Sequence, residues 1–221
     1  MATFWIMGQA VSSSTVCSFA GAELDDVLFY DRSFWFINCY GDILVCDVVH
    51  SGDVHSPLAV RSKMAYFIPV RHPPHQTPIC SYLVESRGRL LRLVRYRRDF
   101  GCLTISFKIY DMVRIRGEEA HNDVYIWREI ESLNGRVIIA GRGCSKAYEP
   151  AQQPDACEGV YFVDDHARYD TSARGRPVSV MDYPYVDNGV WKTSTGEIRT
   201  VIPASGSSTG ACPVWFIPGD E

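Results

Sequence analysis

The sequence predicts an all-β protein, and two features support this fold class. Apolar, aromatic-rich segments are repeatedly divided by a short polar turn that carries glycine. This pattern is typical of antiparallel hairpins, because glycine tolerates the positive φ of a tight turn. No stretch keeps apolar residues at helical spacing beyond two turns. Hairpins are therefore predicted at residues 34–48, 81–96, 128–141 and 189–202.

The glycines of these turns are regularly spaced. Intervals of 47, 47 and 61 residues separate them, in the order Gly41, Gly88, Gly135 and Gly196. Further strands are predicted at residues 27–30, 64–70, 103–110, 160–163, 178–181 and 214–217. A period of about 40–50 residues made of strands and turns is typical of propeller blades. We therefore expect a partial or small β-propeller of about four to five antiparallel blades, with a kelch-like repeat of about 47 residues. The alternative is chance spacing of glycine turns in another all-β fold.

The whole chain is expected to form a single domain, with residues 1–25 as a leading strand segment and residues 26–221 as about four blade repeats. One repeat before Gly41 would begin ahead of residue 1, so the repeat is expected to start partway through a blade. An open sheet edge exposes unpaired backbone groups and has to be covered. The apolar run at residues 4–7 predicts that the first segment supplies a strand that closes the ring onto residues 213–218. Self-association through the open edge is the alternative.

Composition and charge exclude several classes. Hydrophobic residues make up 46% and charged residues 22%, an ordinary globular balance. No apolar run has the length of a membrane helix, and the N-terminus lacks the pattern of a signal peptide. A cytoplasmic or nuclear location is therefore expected, with the eight cysteines reduced and serving as small core residues.

Six of the 22 basic residues are arginines within residues 87–98, which leaves 16 against 26 acidic residues elsewhere. This acidic balance argues against a nucleic-acid partner. The candidate contacts to an acidic or phosphorylated protein surface are Arg87, Arg89, Arg97 and Arg98. The alternative is pairing of these arginines with carboxylates of the same chain. Strand alternation places Leu91, Leu93 and Arg95 on one face, and Leu90, Arg92, Val94 and Tyr96 on the other.

Residues with the potential for chemistry are few. Asp164 and Asp165 follow a predicted strand and are candidates for a basic partner or a cation, although aspartates there also cap turns. His72, His75 and Cys80 loosely resemble a metal-ligand set, but no second ligand pair accompanies them. No catalytic or phosphate-binding motif occurs. We therefore expect no enzymatic activity, no metal and no cofactor.

Five segments together resemble the plant F-box-associated, KIB-type β-propeller family, also called domain of unknown function 295. They are residues 26–48, 81–96, 127–145, 159–165 and 213–218, in the family's order. The resemblance implies a target-binding propeller of the ubiquitin pathway, and a kinase similar to glycogen synthase kinase as a candidate target. No F-box is recognised, so the chain is expected to correspond to the C-terminal portion of such proteins and not to dock onto a Skp-type adaptor. A regulatory or decoy fragment that pairs with full-length F-box relatives is the alternative function, and a small enzyme on a propeller scaffold is a third.

Overall fold

The computed structural model describes residues 2–3, 16–17, 22–49, 59–99, 103–115, 124–152, 156–163, 182–184, 187–201 and 207–209. Within these ranges the regular structure is β-strand, apart from a 3-10 turn at Pro150–Gln152. No helix in the described part of the chain is long and apolar enough to span a bilayer. The strands are β1 (Ala2–Thr3), β2 (Val16–Cys17), β3 (Leu24–Tyr30), β4 (Ser33–Asn38), β5 (Ile43–Val49), β6 (Ala59–Ile68), β7 (Gln76–Ser86), β8 (Arg89–Arg98), β9 (Thr104–Ile115), β10 (Val124–Ile130), β11 (Val137–Ala140), β12 (Lys146–Tyr148), β13 (Gly159–Phe162), β14 (Asp182–Pro184), β15 (Gly189–Trp191), β16 (Ile198–Arg199) and β17 (Ser207–Thr209).

The main sheet has eight strands in two consecutive four-stranded units. The first unit is β3–β6 and the second is β7–β10, and each strand pairs antiparallel with the next within its unit. The last strands of the two units, β6 and β10, pair in parallel. The spatial order is therefore β3-β4-β5-β6-β10-β9-β8-β7. These observations confirm the all-β fold class.

The two edge strands of this sheet, β3 and β7, lie against each other, so that the sheet is nearly closed. Side-chain carboxylates connect them. The backbone N–H of Ser81 donates to Asp25 Oδ2 at 2.8 Å, and that of Leu83 donates to Asp26 Oδ2 at 2.7 Å. Two N–H groups of an edge strand are thereby satisfied without a backbone ladder. Burial raises the pKa of Asp25 to about 6.

Two apolar layers lie on opposite faces of β8. Leu90, Val94 and Tyr96 pack inside the nearly closed sheet, against aromatic residues that include Trp35 and Trp127. Leu91 and Leu93 face the other way and pack against the second sheet, whose strand order is β12-β11-β13-β15-β16. The predicted alternation along β8 is therefore confirmed, and it explains why both of its faces are apolar.

Three of the four predicted hairpins are confirmed. Gly41 connects β4 to β5, Gly88 connects β7 to β8, and Gly196 connects β15 to β16, in each case between paired antiparallel strands. The hairpin predicted at Gly135 is wrong. Gly135 lies in a turn with φ of 82°, but β10 before it belongs to the eight-stranded sheet and β11 after it to the second sheet. The turn carries the chain from one sheet to the other.

The leading segment contains strands, as predicted, but the predicted closing partner is not among the described residues. β1 pairs antiparallel with β2, its neighbour in the leading segment, while residues 213–218 lie outside the described residues.

Among the described cysteines, Cys46 and Cys80 are buried as expected. Cys39, Cys144 and Cys157 are exposed, so the interpretation as core residues is wrong for these three.

Candidate protein-binding site

The arginines at the start of β8 are paired within the chain. Arg87 forms a bidentate pair with Glu149, with Nε and Nη2 at 2.9 and 2.6 Å from the two carboxylate oxygens. Arg89 pairs with the buried carboxylate of Asp111, which Arg128 also contacts at 3.1 Å. A cavity of about 390 Å³ borders Arg87 and Arg89, but acids of the chain already neutralise their charges. Arg87 and Arg89 therefore follow the alternative, in which the arginines pair with carboxylates of the same chain.

The arginines at the end of β8 are placed differently. Arg97 and Arg98 are exposed and form no ion pair with any residue that the structure describes. They are thus available to an acidic surface, although surface arginines contribute little to affinity when they act alone. The other candidate contacts, Asp164 and Asp165, lie outside the described residues.

Arg95 is fully buried and holds the two sheets together. Its guanidinium donates to Asp187 Oδ2 at 2.8 Å, to Thr104 Oγ1 at 2.6 Å and to the Tyr82 hydroxyl at 3.0 Å. It also donates to the Val163 carbonyl at 3.0 Å and lies 4.7 Å from the centre of the Phe162 ring. A charge with this many partners inside the protein is structural.

Arg92 lies on the opposite face of the same strand, at one end of the nearly closed sheet. Its Nε and Nη2 donate to Ser81 Oγ at 3.2 and 3.0 Å, and its guanidinium carbon is 6.0 Å from the centre of the Trp127 ring. The residue is only 6% exposed, and burial lowers the pKa of the guanidinium. Arg92 and Trp127 both line a cavity of about 120 Å³.

The β4–β5 turn forms one rim of this cavity, and a buried asparagine fixes its shape. Asn38 Oδ1 accepts hydrogen bonds from the backbone N–H groups of Tyr40 and Asp42 at 3.0 and 2.8 Å, and Asn38 Nδ2 donates to Asp42 Oδ2 at 3.0 Å. Gly41 has φ of 85°, and a Cβ there would lie 2.6 Å from Arg92 Nη2. Glycine is therefore favoured at this position by its backbone conformation, and a Cβ there would displace the Arg92 guanidinium. The turn holds Tyr40 outward, with 78% of its surface exposed.

The other rim comes from the segment that follows β6. His72 lines the cavity, and its Nδ1 is 2.9 Å from the Tyr96 hydroxyl. Burial and the nearby Arg92 charge lower the pKa of His72. His75 lies in a turn, and Cys80 belongs to the core between the two sheets, so this segment does not assemble a ligand set with His72. Among the described residues there is no group of three His, Cys, Asp or Glu side chains that could hold a metal.

An exposed apolar strip continues from this rim along the outer face of the sheet where the two units meet, on β6 and β9. We call Met64, Tyr66, Ile68 and Ile115 the outer strip. The first three alternate along β6 and are 45%, 65% and 55% exposed. Ile115 joins them through the register, because Val124 of β10 pairs with Tyr66 on one side and with Ile115 on the other. Ile68 belongs both to this strip and to the lining of the cavity.

Sequence reasoning missed this site. Arg92 was assigned to an apolar strand face, and Met64, Tyr66 and Ile68 were assigned only to a strand. The available signal was the alternation itself, since Ala65 and Phe67 on the other face of β6 are also apolar and pack inward. A strand with two apolar faces has to be covered on both sides.

Comparison with known proteins assigns the chain to a family. A model of the KIB1-4 β-propeller family matches residues 3–190, most of the chain. The chain belongs to the KIB1-4 β-propeller family. No curated protein and no solved structure matches it. Membership of the KIB1-4 family confirms the resemblance seen in the sequence.

Proposed function

We propose that this KIB1-4 propeller is a non-enzymatic protein-interaction module that holds its target on the outer strip. The observation that carries the proposal is the uneven covering of the outer face of the eight-stranded sheet. The outer face of the second unit packs against the five-stranded sheet through residues such as Leu91, Leu93 and Phe107. The outer face of the first unit is buried at Phe36, Leu44 and Cys46. The outer strip, where the two units meet, is exposed. Clustered exposed aromatic and aliphatic side chains next to a polar rim are typical of protein-binding surfaces.

The composition of the outer strip fits the anchors of such a surface. Tyr66 presents a large, rigid side chain with a polar tip, a type of residue enriched at the centre of interfaces. Met64 is flexible and adapts to the shape of a partner. The β-sheet fixes the backbone of these residues before binding, which reduces the entropy lost on association.

The family resemblance adds a candidate for the target. A kinase similar to glycogen synthase kinase, and a role in the ubiquitin pathway of plants, are the finer proposals that follow from it. Propellers of the KIB type are generally non-catalytic, which agrees with a binding role. The alternative function, pairing with F-box relatives, would use an open sheet edge. In the eight-stranded sheet the edge strands β3 and β7 already contact each other.

The test compares capture by two matched double variants. Tyr66→Ser with Ile68→Ser removes the centre of the outer strip, and Arg97→Ser with Arg98→Ser changes two exposed residues outside it. Circular dichroism first confirms that both variants fold. Crosslinked capture from plant cell extract, followed by direct binding of the purified candidate kinase, then measures the interaction. We expect the outer-strip variant to lose about tenfold or more in affinity, while the arginine variant stays close to wild type. Equal binding by both variants would show that the outer strip is not the binding surface.

A further inference from the structure

The cavity beside the outer strip has a polar floor that the described residues leave partly unsatisfied. Arg92 is buried, yet among the described residues no carboxylate lies within salt-bridge distance of its guanidinium. Its hydrogen bonds to the described residues go from Nε and Nη2 to Ser81 Oγ, and Nη1 has no such partner. Tyr96, Tyr110, Asp25 and Asp42 act on Arg92 electrostatically, and neither carboxylate lies within salt-bridge distance of it. Buried charges are normally paired, so this one indicates a missing partner.

Trp127, whose side chain lines the same cavity, carries a second unsatisfied donor. Its indole N–H is buried and has no hydrogen-bond partner in the described structure. The indole ring is fixed by a parallel stack on Phe67, with ring centres 4.5 Å apart. Indole nitrogen only donates, and guanidinium nitrogens only donate. A group that satisfies either donor must therefore be an acceptor.

The size of the cavity limits what this acceptor belongs to. About 120 Å³ is several times the volume of one water, of about 30 Å³ in the liquid, but well below the several hundred Å³ of sites for drug-sized ligands. The head of one side chain fits, and an organic cofactor does not. Exposed Tyr40 and Ile68 stand at the rim, where apolar neighbours of that side chain would lie.

The charges around the cavity favour a singly charged group. Arg92 supplies one positive charge to its lining, and the lowered pKa of His72 keeps that imidazole neutral near pH 7. Asp42 contributes a carboxylate at the rim. A dianionic phosphate would meet this carboxylate with more repulsion than a carboxylate would.

From these contacts we propose that the cavity binds the carboxylate of an Asp or Glu side chain of the protein partner, flanked by apolar residues that pack on Tyr40 and Ile68. The inference rests on the proposed function, because it specifies the chemistry of the target segment that reaches the rim. Guanidinium and indole N–H groups would donate to the carboxylate oxygens, and the rigid β4–β5 turn would hold the rim open before binding.

The test follows the indole N–H signal of Trp127 by NMR in the intact, 15N-labelled chain, with the signal assigned by Trp127→Phe. The probe is a capped pentapeptide with glycine ends and a central glutamate between two leucines. Matched peptides carry glutamine or phosphoserine at the centre. We expect a saturable shift with the glutamate peptide, and affinity about tenfold lower for the glutamine peptide, equivalent to about 1.4 kcal/mol.

Variants at exposed positions keep the test decisive, since Arg92→Gln changes a buried residue and is informative only when it folds. Asp42→Asn removes the carboxylate that repels the peptide, and it is expected to raise the affinity for the glutamate peptide about threefold. Tyr40→Ser is expected to weaken binding of the glutamate peptide. Arg199→Ser, at an exposed position on β16 of the second sheet, serves as the control without effect.

Several results would overturn the inference. They are the absence of a saturable shift at Trp127, equal affinity for the glutamate and glutamine peptides, tighter binding of the phosphoserine peptide, or no gain from Asp42→Asn. If the peptides fail while the Tyr66→Ser with Ile68→Ser variant still loses its captured protein, the carboxylate site is wrong and the proposed function stands. If the peptides bind but that variant captures as well as wild type, the outer strip is wrong instead.

Discussion

Loss of the Arg95–Asp187 pair should destabilise the fold by an amount that the geometry defines. Arg95→Met keeps most of the side-chain volume but removes the cation, so the buried Asp187 loses its 2.8 Å ion pair. Breaking one partner of a buried pair costs about 3–5 kcal/mol. We expect the lower end, about 3 kcal/mol, because Asp187 keeps its bonds from the Thr104 N–H at 2.9 Å and the Thr104 hydroxyl at 2.8 Å.

The matched experiment is a double-mutant cycle measured by urea unfolding at pH 7, followed by tryptophan fluorescence. Asp187→Asn leaves the buried guanidinium without a counter-charge and should cost about as much. The double variant has neither charge, so its loss of unfolding free energy should be smaller than the sum of the single losses by about 2 kcal/mol or more. Additive losses would refute the reasoning, because they would mean that the two side chains act independently of each other.

Two further predictions concern the edges and turns that shape the site. Because burial raises the pKa of Asp25 to about 6 from 3.8, the folded protein binds this proton more tightly than the unfolded chain. As the pH rises from 3.8 to above about 6, the unfolding free energy of the wild type should therefore fall by about 2–3 kcal/mol because of this group. Asp25→Asn has no such group and should not show this fall. Urea unfolding at about pH 4 and pH 7 measures this, and parallel profiles for the two proteins would contradict it. Gly41→Ala should destabilise more than Gly88→Ala, since both glycines have positive φ but only Gly41 lacks space for a Cβ. A positive φ alone costs an alanine about 1–2 kcal/mol, and this is the whole effect expected for Gly88→Ala. Equal urea midpoints for the two variants would exclude the predicted clash with Arg92.

The sequence predicted the strands and turns better than the way in which the strands pair. Alternation along β8 assigned Leu91 and Leu93 to one layer and Leu90 and Val94 to the other, because a side-chain period of two follows from strand geometry alone. Glycine spacing was less informative. Gly41 joins the second and third strands of the first unit, whereas Gly88 joins the first and second strands of the next. A glycine marks a turn, but it does not determine which strands pair on its two sides.

The site was less predictable, because it depends on what the chain leaves uncovered. Met64, Tyr66 and Ile68 look like core residues in sequence, and their exposure results from the position of the second sheet on the other unit. Arg92 and Arg95 are three residues apart on one strand, and only the fold determines that Asp187 reaches one and no described carboxylate reaches the other. Long-range contacts of this kind leave no local pattern in the sequence.

The most direct test of the account is the affinity of one captured partner for three proteins, measured by calorimetry with purified components. These are the wild-type chain, the Tyr66→Ser with Ile68→Ser variant and the Arg97→Ser with Arg98→Ser variant. The account predicts that the outer-strip variant binds about tenfold or more weakly, while the arginine variant stays within about twofold of wild type. The reverse order, with the arginine variant impaired and the outer-strip variant intact, would contradict it and would place the interface at the end of β8.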